Sequence, residues 1–216
     1  MARKKQGSDN RQSLAKYKKG GGKLQFSIYT ITSDPIEDQK ENLPKPVRDR
    51  LQGLFKMIRG NPKQAIEELL VLIENHPDVP VLYNYLSIAY ESTGNRKAMR
   101  EITFENYQQN PDYLFAKINY AQFCMMDGDF DKIPEIFDGK FDLKLLYPNR
   151  NCFHVTEFAG FTGVACAYFA ATGKQDTAQL LYKSLLKVAP DSSAVPFAKR
   201  FLYPSLLTKL MNLMGR

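Results

Sequence analysis

The sequence predicts an all-α chain, a solenoid of stacked helix pairs, and three observations carry that prediction. Glycine landmarks recur every 34 residues, at Gly60-Asn61, Gly94-Asn95 and Gly128-Asp129, and Pro77 and Pro111 repeat at the same spacing. Self-similarity at a fixed period of this size marks a chain built from stacked supersecondary units. A fourth unit follows after a delay: Gly173-Lys174 trails Gly128 by 45 residues and Pro190 trails Pro111 by 79, two periods and 11 more. Both landmarks therefore report one 11-residue insertion. The landmark residues are also helix terminators, since glycine accepts the left-handed conformation that ends a helix and proline cannot continue one.

The period divides the chain into units at 46–79, 80–113, 114–157 and 158–192. The segment near 138–151, with Gly139, Pro148 and two asparagines marking turns, is the insertion in the third. In the second unit Tyr83, Leu86, Tyr90, Gly94 and Pro111 are the large, apolar, aromatic, turn and stop positions; the fourth supplies Phe169, Gly173, Ala178, Tyr182 and Pro190. The first keeps Gly53, Gly60, Ala65, Leu69 and Pro77 but carries Asp49 and Lys56 at aromatic positions, so its first helix is atypical. The third keeps Ala121, Gly128 and Phe137, and Pro134 makes its second helix short or kinked.

On these residues, residues 46–192 resemble the tetratricopeptide repeat (TPR) family, whose unit is two antiparallel helices. The resemblance implies a right-handed superhelical solenoid of about four TPR-like repeats, with the first helix of each unit lining a concave groove. The fold serves many unrelated binding functions. Residues 193–216 continue as helix broken near Pro204, and the stripe Leu206, Leu207, Leu210, Met211, Met214 makes a C-terminal capping helix for the apolar end of the last repeat.

Residues 1–33 read as a disordered basic tail and 34–45 as a linker. The tail holds Arg3, Lys4, Lys5, Arg11, Lys16, Lys18, Lys19 and Lys23 against Asp9 alone, which accounts for the whole net charge of +7. The remainder of the chain is electrically balanced, so a basic-surface argument for nucleic acid applies to the tail only. Between Leu24 and Ile31 the alternation of Leu24, Phe26 and Ile28 with Gln25, Ser27 and Tyr29 is a short strand-like pattern.

Composition excludes several classes. An apolar fraction of 44% with 12% aromatic is that of a globular chain. Three cysteines, odd in number and without a CxxC pair, suit free thiols and a cytoplasmic location. No run of about 18 apolar residues offers a membrane span. Asp127-Gly128-Asp129-Phe130-Asp131 begins like a calcium loop, but the sixth position is Lys132 and the twelfth Asp138, so the reading is an ordinary turn and no metal. Cys152 and His154 lack the oriented base that nucleophilic catalysis needs. The run ending Gly20-Gly21-Gly22-Lys23 lacks the first glycine and following Ser or Thr of a phosphate loop. The expectation is a binding protein without cofactor, not an enzyme.

Registered on the resemblance, the groove takes Leu54 and Met57 from the first unit. It takes Val81, Asn84, Ile88 and Glu91 from the second, and Phe115, Ile118, Asn119, Gln122 and Met125 from the third. An apolar lining with an amide stripe suits a peptide, or a protein partner presenting one; about half of these side chains are expected in the core between repeats. Some family members clamp a chaperone's C-terminal carboxylate with Lys, Asn and Arg, and Leu54, Ile88 and Phe115 replace the residues that would do so here. In the fourth unit Gly160, Gly163, Ala167 and Ala170 form a small-residue stripe, which the insertion or the C-terminal helix is expected to fill. A second function, from a different class, is an RNA- or ribosome-associated factor held by its tail. The exposed ends of a solenoid also allow a homo-oligomer.

Overall fold

A computed structural model of the chain describes residues 11–15, 26–34 and 43–204. Helices dominate, packed as neighbouring pairs in chain order: an all-α repeat solenoid. The first unit is α1 (Lys45–Gly60) and α2 (Pro62–Asn75), the second α3 (Pro80–Ser92) and α4 (Arg96–Gln109). The third is α5 (Leu114–Asp127) and α6 (Lys132–Ile136), followed by the one-turn α7 (Leu143–Leu146). The fourth is α8 (Val155–Ala171) and α9 (Gln175–Val188), and α10 (Ala194–Leu202) packs on α8 and α9.

The periodic residues end helices by shared geometry. Gly94, Gly128 and Gly173 have φ of 73°, 84° and 79°. After each, the next backbone N–H reaches back to the helix: Asn95 to the Tyr90 carbonyl (2.9 Å), Asp129 to Cys124 (2.9 Å) and Lys174 to Phe169 (2.8 Å). This closure satisfies a carbonyl that a helix end leaves open. The unit ends repeat as well. His76, Asn110 and Ala189, each preceding a proline, have ψ of 62°, 60° and 62°, because proline pushes the residue before it out of the helical region. Gly60 departs from the pattern: it stays in the helix, and α1 ends at Asn61 with φ −145°. Asn61 and Asn95 then cap the following helices, their side chains accepting from the Gln64 and Ala98 N–H groups (3.3 and 3.2 Å).

The third unit breaks off. Pro134 sits inside α6, and after five residues the chain turns through left-handed Asp138 (φ 51°) and Gly139 (φ 66°). The buried Lys117 ammonium donates to the Ile136 carbonyl (2.9 Å) and closes the short helix. Residues of the insertion then cover α5 and α8. Phe141 stacks on Tyr168 (5.0 Å, 5° between planes), and the Tyr147 hydroxyl donates to the Asp112 carbonyl (2.8 Å).

Expected disorder up to residue 33 does not hold for the residues described there. Strands β1 (Arg11–Ala15), β2 (Phe26–Thr32) and β3 (Cys152–His154) form a small sheet in that order, β1 antiparallel to β2 and β2 parallel to β3. The face of β2 that meets the helices carries Tyr29 and Ile31, the parity opposite to the Leu24, Phe26, Ile28 row. Tyr29 packs edge-on to Phe153 at 5.3 Å. Among the tail cations only Arg11 falls within the described residues, as do none of the stripe positions from Leu206 to Met214.

Helix α8 is apolar nearly all round and buried, with α5, α9, α10 and the sheet against it. A Cβ on Gly160 would meet the Ile118 side chain at 3.1 Å, and one on Gly163 would meet the Ala194 Cβ at 2.8 Å. The small-residue stripe therefore receives α5 on one flank and the C-terminal helix on the other; the insertion packs further along, at Tyr168 and Phe169.

Candidate partner-binding face

Exposure separates the expected groove residues into two groups. Leu54, Ile118 and Met125 are 1%, 2% and 1% exposed and belong to the core, which corrects their assignment to the groove. Leu54 continues the stripe Val47, Leu51, Leu54, Ile58 that presses α1 on its neighbours, and Ile118 is covered by the close approach of α8. Met57, Val81, Asn84, Phe115, Asn119 and Gln122 are half-buried, while Ile88 and Glu91 are exposed.

The surface that results is a set of three rows. Val81, Tyr85 and Ile88 succeed one another on α3 at helical spacing. Phe55 of α1 lies against Tyr85 (6.0 Å between centroids) and carries the Arg59 guanidinium over its ring at 4.5 Å. On α5 the row is Phe115, Asn119, Gln122 and Met126. Phe55 and Ile88 are each 41% exposed and Met126 is 46% exposed, so the rows present apolar surface to solvent. Sequence reasoning missed Phe55 and Tyr85. The signal was available: Phe55 stands off the apolar stripe of α1, where a large ring has no core to enter.

The amide stripe is present but largely committed within the fold. Asn84 Oδ1 accepts from Asn106 Nδ2 (3.1 Å) and Asn119 Nδ2 (3.2 Å), and Asn84 Nδ2 donates to the Tyr113 hydroxyl (3.2 Å). Asn106, 2% exposed, also donates to the Pro80 carbonyl (3.3 Å) and accepts from Asn110 Nδ2 (3.0 Å). Burial pushes the Tyr113 hydroxyl well above its usual range, so it remains protonated. Among the described residues the Asn119 side-chain carbonyl oxygen and the Gln122 amide make no hydrogen bond within the fold.

The other candidate groups are occupied structurally. Asp127, expected in a turn, forms a two-pronged pair with Arg100 (2.7 Å on both oxygens), and Asp129 pairs with Lys132 (2.6 Å). With Phe104, Tyr120 and Phe123 these side chains line a shallow cleft between α4 and α5. Cys166 donates to the Ala178 carbonyl (3.3 Å) in the α8–α9 seam, and burial pushes its thiol up to about 12. His154 caps α8: its Nδ1 accepts from the Thr156 backbone N–H (3.3 Å), while the His154 backbone N–H donates to the Glu157 carboxylate (2.9 Å). Glu157, 2% exposed, holds Arg150 at 3.0 and 2.7 Å, and the Arg150 guanidinium lies over Phe153 at 4.4 Å. Among the described residues no group of three or more His, Cys, Asp or Glu is arranged to hold a metal, and no helix is long and apolar enough to cross a membrane.

No family model matches the chain. A curated relative, the TPR repeat-containing protein YvcD of Bacillus subtilis (strain 168), is 28% identical over 115 residues. The match covers 53% of this chain and 22% of the relative, so the chain spans about a fifth of that protein's length.

Proposed function

We propose that this chain is a TPR-type interaction protein that holds a peptide, or a peptide-like segment of a protein partner, on the face made by α1, α3 and α5. The observation that carries the proposal is the pair of exposed side chains Phe55 and Ile88, with half-buried Tyr85 against Phe55, beside the spare amide groups of Asn119 and Gln122. Apolar side chains of an extended ligand bury surface on the row, and its backbone bonds the amides. The repeat geometry and the relative's name support the same reading. The action is binding, without cofactor, and in the cytoplasm, where three unpaired cysteines stay reduced.

The test is selection of peptides from a display library on the immobilised full chain, with affinities remeasured on Ile88→Glu and Phe55→Glu. Each substitution is expected to weaken binding about tenfold or more, since both side chains are central apolar contacts, with the melting temperature unchanged. Undiminished binding by both variants removes this face as the site. Binding that collapses at high salt and is lost when Arg3, Lys4 and Lys5 become serine assigns recognition to the tail instead.

A further inference from the structure

The buried apolar side chains sort into separate clusters, and one boundary between them falls between the second and third units. Leu54, Leu69, Leu82 and Leu86 belong to a cluster drawn from α1 to α4. Leu114, Ile118, Phe137 and Phe158 belong to another, drawn from α5, the insertion, the sheet and α8. No fully buried apolar residue is common to both. What crosses the boundary is polar or half-exposed. Asn84 bonds Asn119 and Tyr113, Arg100 pairs with Asp127 and covers Phe123 at 4.7 Å, and Tyr107 and Phe104 lie against Tyr120 at 4.7 and 5.2 Å.

The other seams are built differently. Glycine at 160 and 163 brings α8 into close contact with Ile118 and Ala194, so sliding there drives atoms into one another. At the α4–α5 boundary the links are side-chain amide hydrogen bonds, each modest in net strength, and the Arg100–Asp127 pair, over 40% exposed on each side, restrains weakly. Interdigitated apolar side chains resist shear; stacked rings and surface ion pairs do not.

We infer that the α4–α5 junction is a hinge. The first two units move as one body, α5 to α10 with the sheet as another, and the turn from Asn110 to Tyr113, closed by a 3.0 Å backbone bond, is the pivot. The consequence rests on the binding face proposed above: α1 and α3 contribute their rows from one body and α5 from the other, so rocking changes the width of that face.

Pulsed electron spin resonance on the full, ligand-free chain tests this in a Cys152→Ser background, the other two thiols being buried. Spin labels at Gln64→Cys and Lys183→Cys report across the junction. Labels at Gln64→Cys and Gln108→Cys report within the first body, and Asp131→Cys with Lys183→Cys within the second; all four positions are exposed. The cross-junction distance distribution is expected to be about twice as broad as either internal one, as domain rocking about a few residues produces. Equal widths for all three pairs overturn the hinge. Because no ligand is present, that result leaves the peptide-binding reading untouched, and a failed peptide selection leaves the hinge untouched.

Discussion

Two glycines in the same kind of helix have opposite roles, and a methyl group distinguishes them. Gly163 has the Ala194 Cβ 2.8 Å and its carbonyl 3.3 Å from where its own Cβ would stand, while Gly53, in the middle of α1, has nothing within 4 Å. Gly163→Ala is expected to destabilise by about 1–3 kcal/mol through overpacking. Gly53→Ala is expected to stabilise by about 0.5–1 kcal/mol by lowering the entropy of the unfolded chain. Urea midpoints of the two variants, read at constant slope, check both signs. A second residue-scale expectation concerns Asp127, whose carboxyl the Arg100 hydrogen bonds hold below its ordinary value of 3.8. A depressed folded-state value means the unfolded chain takes up the proton first as pH falls. The stability difference between wild type and Asp127→Asn is therefore full above the ordinary carboxylate range, shrinks as pH drops below 3.8, and vanishes once the folded carboxyl is itself protonated. The pair is half-exposed, so the difference is small at high salt.

At the scale of elements, helix ends were legible in the sequence because each is set by one or two residues. Gly94, Gly128 and Gly173 could be placed in turns from spacing alone, and all three adopt the left-handed conformation. Pro134 announced the short α6 for the same reason: a missing N–H acts locally. Gly60 was misread because Asn61 can end α1 without a left-handed residue. The groove residues were legible only in part. Whether Ile118 faces a ligand or the core depends on how closely α8 approaches, and that is decided by Gly160, 42 positions away in the chain. The seam between α8 and α9 supplies a chemical check on the packing. Cys166 lies in it and Cys124 is buried as well, whereas Cys152 is half-exposed at the edge of β3. Thiol reagent at neutral pH is expected to modify one site rapidly, mapped by mass spectrometry to Cys152. The other two should react only in denaturant, since the raised Cys166 value leaves almost no thiolate in the folded state.

For the whole molecule, the period of 34 established a solenoid before any side chain was placed, yet it could not show that the solenoid is joined to its own N-terminal segment. The alternation near Ile28 was visible, but its partner toward the helices is the three residues that follow an irregular insertion, with no pattern of their own to reveal the pairing. Thr30 opposite Cys152 is a contact between residues 122 positions apart. Helix pairs whose contacts are local can form as each leaves the ribosome, whereas a strand must wait for its partner to exist. The segment holding Tyr29 is made before the repeats but completes its sheet after most of them: until Phe153 emerges, two full repeat units and α5 stand assembled beside a strand that has only β1 to pair against.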